Sequence, residues 1–217
     1  MKIAILAVAG LAAAAAAQTS PNGGNVVAWW DTFGNDGNSP SLPTTGTVSN
    51  LSAADWTRSA DINPSSAGNT FAANGWNDGD ETTNYFSTTL TVDAGYQLDL
   101  ADLVIGIRRS GSGPTSINLR SSLDGFSSSL FTFDGSDDGF QNDIIDLSSL
   151  GPITGSVEFR ITGAGASSAN GTLRIGDYSE FPTFFDLQFQ GDVSLVPTPG
   201  AMAAFGLAGL AAARRRR

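Results

Sequence analysis

The residue types able to do chemistry in this chain are few. Cysteine and histidine are both absent from the 217 residues. No disulfide, thiolate zinc site, Cys-His dyad or Ser-His-Asp triad can therefore be built. Carboxylates, amides and aromatic rings remain. The segment Asp134-Gly-Ser-Asp137-Asp138-Gly-Phe-Gln-Asn-Asp143 gathers oxygens on a turn, as calcium requires with its roughly six to eight hard oxygen ligands. Asp134, Asp137, Asp138 and Asp143 are the candidate ligands, and calcium is the only cofactor the composition suggests. Asn77-Asp78-Gly-Asp80-Glu81 is a second cluster of the same kind. Neither follows EF-hand spacing, and solvated turn residues of an acidic surface account for both without a cation.

The aromatic candidates are Trp29, Trp30, Trp56 and Trp76, because an exposed indole can stack on a sugar ring. Trp29 and Trp30 are adjacent, so on one strand they point to opposite faces. Val27, Trp29 and Phe33 share a parity and are assigned to the core, which leaves Trp30, with Trp76, as the ligand candidates. The alternative is that all four pack internally. Catalysis finds little support. A carboxylate pair for glycoside hydrolysis carries no information among 21 acids. Lyase chemistry usually wants a Lys, His or Tyr base, and beyond Lys2 the chain has no lysine, leaving Tyr85, Tyr96 and Tyr178.

The elements that must position these residues are strands. Val157, Phe159 and Ile161 alternate with Glu158 and Arg160, and similar runs of period two recur at Ile117 and Leu119, at Leu173 and Ile175, and from Phe185 to Phe189. Each predicts a strand with one buried face. About ten strands are expected, near 25–33, 47–51, 69–73, 83–92, 96–109, 115–121, 128–133, 142–147, 155–162 and 171–195. The last is long enough to be two, interrupted around Pro182. Turn residues such as Asp93-Ala-Gly95 and Ser110-Gly-Ser-Gly-Pro114 separate them. The pattern predicts an all-β fold, an antiparallel β-sandwich of jelly-roll type. Leu51 to Trp56 is the one helical temptation, with Ser52 as a cap. No long period repeats, which excludes solenoids and propellers.

The two ends read as targeting segments around a single domain, residues 18–195. Lys2, an apolar run to Ala17 and a polar Gln18-Thr19-Ser20-Pro21 form a signal peptide over 1–17, with Ala15 and Ala17 fitting the small-residue cleavage rule. Residues 200–213 carry no charge; as a helix they would reach about 21 Å, against a bilayer core of about 30 Å. A transient stop suits this length better than a permanent anchor. Arg214, Arg215, Arg216 and Arg217 would stay on the cytoplasmic side and fix the orientation. Pro197 and Pro199 keep the chain before the apolar stretch extended. Without Lys2 and these four arginines, six of the 11 basic residues face 21 acids, a net charge of −15. A domain that acidic repels phosphate backbones, so nucleic acid is not an expected partner.

The order Val196-Pro197-Thr198-Pro199, apolar 200–213, basic 214–217 resembles the PEP-CTERM sorting signal of Gram-negative bacteria, with Thr198 standing where that signal usually has Glu. The resemblance implies an exosortase substrate exported across the inner membrane. Such a protein passes through the secretion machinery and a transient membrane insertion to the cell surface or matrix. Gly113-Pro-Thr-Ser-Ile-Asn-Leu-Arg-Ser-Ser-Leu-Asp-Gly-Phe126 and Gly171-Thr-Leu-Arg-Ile-Gly-Asp177 resemble exported jelly-roll domains that precede such signals in environmental bacteria, planctomycetes among them. Here Gly176 replaces an Asp and Tyr178 to Thr183 reads as an insertion. Three functions follow as expectations: a non-catalytic structural or adhesive surface protein; alternatively a carbohydrate-binding jelly roll, with or without calcium; and, more weakly, a polysaccharide-active enzyme. Mass spectrometry of the surface form should find an N-terminus at Gln18 and a C-terminus between Val196 and Pro199; an intact Arg217 on mature protein would contradict processing.

Overall fold

The structure is a computed structural model that describes residues 21–176 and 187–197. The signal segment, Thr198, Pro199, the apolar 200–213 and the four terminal arginines, and with them both expected terminal helices, lie outside these residues, as does Tyr178. Among the described residues no helix is long and apolar enough to cross a membrane.

The described chain is all-β. In order it forms β1 (Val26–Trp30), β2 (Asp36–Gly37), β3 (Ser41–Leu42), β4 (Gly46–Thr47), β5 (Leu51–Ala53), β6 (Trp56–Arg58), β7 (Asn63–Pro64), β8 (Thr70–Asn74), β9 (Tyr85–Val92) and β10 (Tyr96–Arg109). There follow β11 (Ser116–Ser121), β12 (Phe131–Thr132), β13 (Gln141–Asp146), β14 (Ser156–Ala164), β15 (Leu173–Ile175) and β16 (Leu187–Leu195), with 3-10 turns at Ser122–Asp124 and Ser148–Leu150. One sheet runs β2-β8-β15-β10-β16-β1-β4, with β13 on the other edge of β10 and β7 beside β8; the second runs β12-β11-β14-β9-β6-β3, with β5 also on β9. The two sheets share one core in a β-sandwich.

The expected alternation holds where the strands are long. In β9, Phe86, Thr88, Leu90 and Val92 are buried at every second position, and in β14 Val157, Phe159 and Ile161 turn inward while Glu158 and Arg160 turn out. The final strand is indeed two, since β15 and β16 pair along the same edge of β10, at Ile107–Arg109 and Tyr96–Ile105. Two expectations fail. Leu51 to Trp56 is not helical but contains β5 and the start of β6, both paired to β9. The sheets are also not wholly antiparallel, because β2 runs parallel to β8 at Asp36–Thr70 and Gly37–Phe71.

The core is held by rings that meet across the two sheets. Trp30 on β1 meets Trp56 on β6 at 5.9 Å and Phe189 on β16 at 6.0 Å, both edge to face. Phe189 continues to Phe159 on β14 at 4.8 Å, and Phe71 on β8 meets Phe86 on β9 at 5.3 Å. Each buried ring stabilises by roughly 1.5–3 kcal/mol through area alone, and edge-to-face pairs add about 0.5–1.5 kcal/mol.

This packing reverses the assignment of Trp29 and Trp30. Val26 opposes Gln190 but Ala28 opposes Phe189, so the register slips by one residue at Val27. A bulge inverts the parity of everything beyond it. Trp30 therefore enters the core, fully buried with its Nε1 donating to the Ala54 carbonyl at 3.2 Å. Trp29 turns to the other face of the sheet, where its ring lies so close to Gly46 that a Cβ there would come within 2.3 Å. Phe33, beyond the strand, is 83% exposed.

A cation is also built into the scaffold. Arg58 lies over the Phe71 ring at 3.8 Å and donates to the carbonyls of Ala72, Ser39 and Gly37. Burial pulls its pKa down to about 10, which leaves it charged at neutral pH. Trp30→Ala should cost about 3–5 kcal/mol in denaturant unfolding; a loss below about 1 kcal/mol would contradict its central position.

Candidate functional site

The outer face of the second sheet carries an arrangement that stability alone disfavours. On adjacent strands β11 and β14, Arg120 stands directly opposite Arg160, with Ser87 of β9 next in the row. Like charges opposed across an antiparallel pair destabilise it, and these are two of only six arginines in residues 18–195.

Each guanidinium is compensated differently. Arg120 Nη2 bonds Glu81 Oε2 at 2.9 Å, and its Nη1 donates to the carbonyls of Phe126 and Ser127 at 3.2 and 3.3 Å. Arg160 Nε bonds Glu158 Oε1 at 2.7 Å. The Arg160 guanidinium carbon also lies 3.8 Å from the Phe126 ring centre and 4.0 Å from that of Tyr85. Both rings pack against the one planar group, so Arg160 is clamped in place by Phe126 and Tyr85.

The turn that delivers Phe126 is tightly specified. After the 3-10 turn at Ser122–Asp124, Gly125 adopts φ 69°, and Phe126 follows at φ 63°. A bulky residue in the left-handed region is strained. It is held there by its own N–H on the Ser121 carbonyl at 2.9 Å and by Asp124, which accepts from Ser127 N at 3.2 Å and Ser128 N at 2.9 Å. Hydrogen bonds from Ser128 and Ser127 outweigh burial and hold the Asp124 carboxyl below its ordinary range.

Between this turn and Glu81 lies a cleft of about 350 Å³, lined chiefly by Glu81, Arg120, Phe126, Arg160 and Thr162. Glu81 is saturated: it accepts from Ser116 Oγ, from Asn118 Nδ2 at 3.3 and 3.2 Å, and from Arg120. Burial opposes its ionisation, but the bonds from Ser116, Arg120 and Asn118 together with the Arg120 charge win, holding its carboxyl below the usual range.

The residues marked from sequence lie elsewhere. Trp30 and Trp76 are both fully buried and offer no face to a sugar. Trp76 packs edge-on to Phe86 at 5.3 Å, donates Nε1 to the Ala73 carbonyl at 2.9 Å, and presses on Gly163, where a Cβ would come within 2.6 Å of the ring. Trp29 and Trp56 are also buried.

The calcium set does not converge, and among the described residues no three carboxylates gather as a metal site would need. Arginines take the turn's backbone oxygens instead: Arg109 Nε donates to Gly135 O at 2.8 Å and Arg108 Nη2 to Asp137 O at 3.2 Å. Asp138 N bonds the Ser136 hydroxyl at 3.1 Å. Burial pushes the Asp143 carboxyl up, against a hydrogen bond from Gln141 and with help from the charge of Asp134. The second acidic cluster also splits. Asp78 and Asp80 cap their own turn through Asp80 N and Thr82 N, at 3.1 and 2.8 Å, while Glu81 alone turns into the cleft.

The sequence marks Glu81 within an acidic cluster, Phe126 at the end of a fold-bearing stretch and Tyr85 as one of three tyrosines, and the structure brings all three to one cleft. Arg120 and Arg160 are the cleft residues that the sequence reading passes over. Their signal was present: both are outward positions of period-two runs in a chain short of cations.

No known protein-family profile matches the chain, and no curated protein matches it. Among solved structures it is similar to carbohydrate-binding modules of family 29. One is a variant of the module CBM29-2 from a study of ligand recognition, at 15% identity over 76% of this chain and 92% of that one, with a TM-score of 0.40. Another is a family 29 module at 15% identity over 75% and 87%, with a TM-score of 0.39. Likeness at that distance carries no functional argument.

Because the folded-state pKa of Glu81 is depressed, its contribution to stability is present above the unfolded value, about 4.3, and is lost as pH falls through the folded one. Glu81→Gln should therefore lower stability at neutral pH and shrink the drop seen between about pH 5 and about pH 3 in urea unfolding; equal drops in variant and wild type would remove Glu81 as a titrating anchor.

Proposed function

We propose that this protein is an exported, non-catalytic β-sandwich that binds polysaccharide at the Glu81–Arg120–Arg160 cleft and acts as an adhesive component of the cell surface or extracellular matrix. One observation carries the reading: Arg160 clamped by Phe126 and Tyr85 in an open cleft on the outer face of a sheet. Strands hold such a site more rigidly than loops do, and a planar fork beside aromatic carbon suits oxygen-rich sugar rings. The strained backbone of Phe126 supports a functional role for this turn, since strain of that kind persists where the surroundings enforce it. Binding fits better than catalysis, because Glu81 is held ionised with its lone pairs occupied and cannot act as a general acid.

Delivery by an exosortase-type system, with export across the inner membrane and transient membrane anchoring, belongs to the same proposal and rests on the tripartite 196–217 segment. The position of Val196 is compatible with it. The last strand ends at Leu195, and Val196 N bonds the Gly95 carbonyl at 2.9 Å, so a cut beyond Pro197 would spare every described strand.

A glycan array followed by calorimetry tests the ectodomain reading. One or more polysaccharides should bind, and Phe126→Ala should weaken binding by about thirtyfold, the scale of a hot-spot truncation. Binding unaffected by that variant would move the site elsewhere; no binding to any glycan would leave a purely structural role.

A further inference from the structure

We infer that the glycan this cleft accepts is acidic, and that the free edge of Arg160 grips a carboxylate or sulfate group on its sugars. The inference rests on the glycan-binding reading of the same cleft and follows from its hydrogen-bonding inventory. The lining carboxylate, Glu81, is saturated by Ser116, Asn118 and Arg120. The lining hydroxyl protons are spent as well: Thr162 Oγ1 donates to Asn118 O at 3.4 Å, Thr82 Oγ1 to Asp80 at 2.6 Å and Ser127 Oγ to Asp124 at 3.1 Å. Arg120 gives its Nη1 to the Phe126–Ser127 backbone and its Nη2 to Glu81.

Arg160 differs. Its Nε is used on Glu158, whereas Nη1 and Nη2 have no hydrogen-bond partner among the described residues. A guanidinium carries five N–H donors and no acceptor, so four in-plane donors remain. With two rings packed against the guanidinium, these uncommitted N–H groups are what it offers a ligand in the cleft. The edge is a planar fork matched in width to a carboxylate or sulfate, and charge-assisted pairs of this type are short and strong. A neutral sugar ring would find the cleft's one carboxylate acceptor, Glu81, already occupied, whereas the Nη donors of Arg160 stay uncommitted and call for an acceptor-rich anionic group. The domain's overall acidity opposes a polyanion at long range, but salt near physiological strength screens that repulsion beyond about 8 Å, leaving the fork to act at contact.

The test is calorimetric titration of the secreted protein with three probes: an oligogalacturonate, its carboxyl-reduced neutral counterpart, and a sulfated neutral oligosaccharide, each with and without EDTA. The expected result is binding of the uronate, the sulfated probe or both at least about tenfold tighter than the reduced counterpart. Which acidic probe binds distinguishes the two anions. Arg160→Gln should remove that preference, and Arg160→Lys should restore part of it. Wild-type NMR mapping of the Arg160 side-chain resonances gives the same readout without relying on a variant that folds. Equal binding of the neutral counterpart, mapped to this cleft, overturns the acidic preference and leaves the glycan-binding reading standing. Binding of no glycan overturns both. Acidic binding that EDTA abolishes and Arg160→Gln leaves intact assigns the contact to a bridging cation and overturns the inference.

Discussion

The aromatic seam between the two sheets is the interaction on which everything else here depends. Without cysteine, a sandwich of short strands has no covalent staple, and many of its strands are only two or three residues long. Such strands cannot hold their register by backbone pairing alone. Trp30, Trp56, Phe159 and Phe189 supply the missing restraint, each reaching from one sheet to a ring of the other or to a neighbour in the same chain of contacts. The bulge at Val27 exists within that requirement, because it sends Trp30 and not Trp29 into the seam. All four indoles are thereby consumed by the core and its flanks, and any ligand chemistry has to come from other side chains.

Those other side chains are arginines. In a strongly acidic domain each cation has many acids to choose from, yet Arg58 pairs with carbonyls and a ring, and Arg109 with turn carbonyls. The protein uses guanidinium groups as hydrogen-bonding frames more than as counter-charges. Arg120 follows the same pattern, tying Glu81 to the Phe126–Ser127 backbone and so fixing one wall of the cleft. Arg160 is the one in the cleft whose outer edge has been left unspent, and the ring clamp keeps that edge oriented at little further loss of rotamer entropy.

How much was legible in the sequence follows from range. Period-two alternation is a local property, so β9, β11 and β14 could be placed within a residue or two, and the split of the last strand could be anticipated from its length and Pro182. Parity beyond a bulge is not local: the slip at Val27 depends on how β1 sits against β16, and it misassigned both Trp29 and Trp30. The helical expectation at Leu51–Trp56 failed for a related reason, since pairing to β9 overrides a weak cap. The cleft was least legible of all. Glu81, the Arg120–Phe126 stretch and Arg160 lie far apart in the chain, and only the register of β11 on β14 sets the two arginines face to face. The acidic turn, by contrast, is conspicuous in sequence, yet among the described residues its carboxylates do not gather in a group of three, and nearby arginines bond its carbonyls.

The interrupted strand beside β10 has an architectural consequence. Ile175 pairs with Ile107 and Leu187 with Ile105, so the chain leaves the sheet at Gly176 and re-enters it almost where it left, with ten residues in between. The two strands are thus pinned a single pleat apart on β10, and the inward parity that Ile175 shares with Ile107 is kept by Leu187 against Ile105. Closing a chain between ends so near costs free energy that grows only slowly with length, so the pairing of β15 and β16 with β10 is compatible with connections of different lengths. An affinity tag or reporter peptide could be accommodated at the same point, on the sheet that does not carry the cleft.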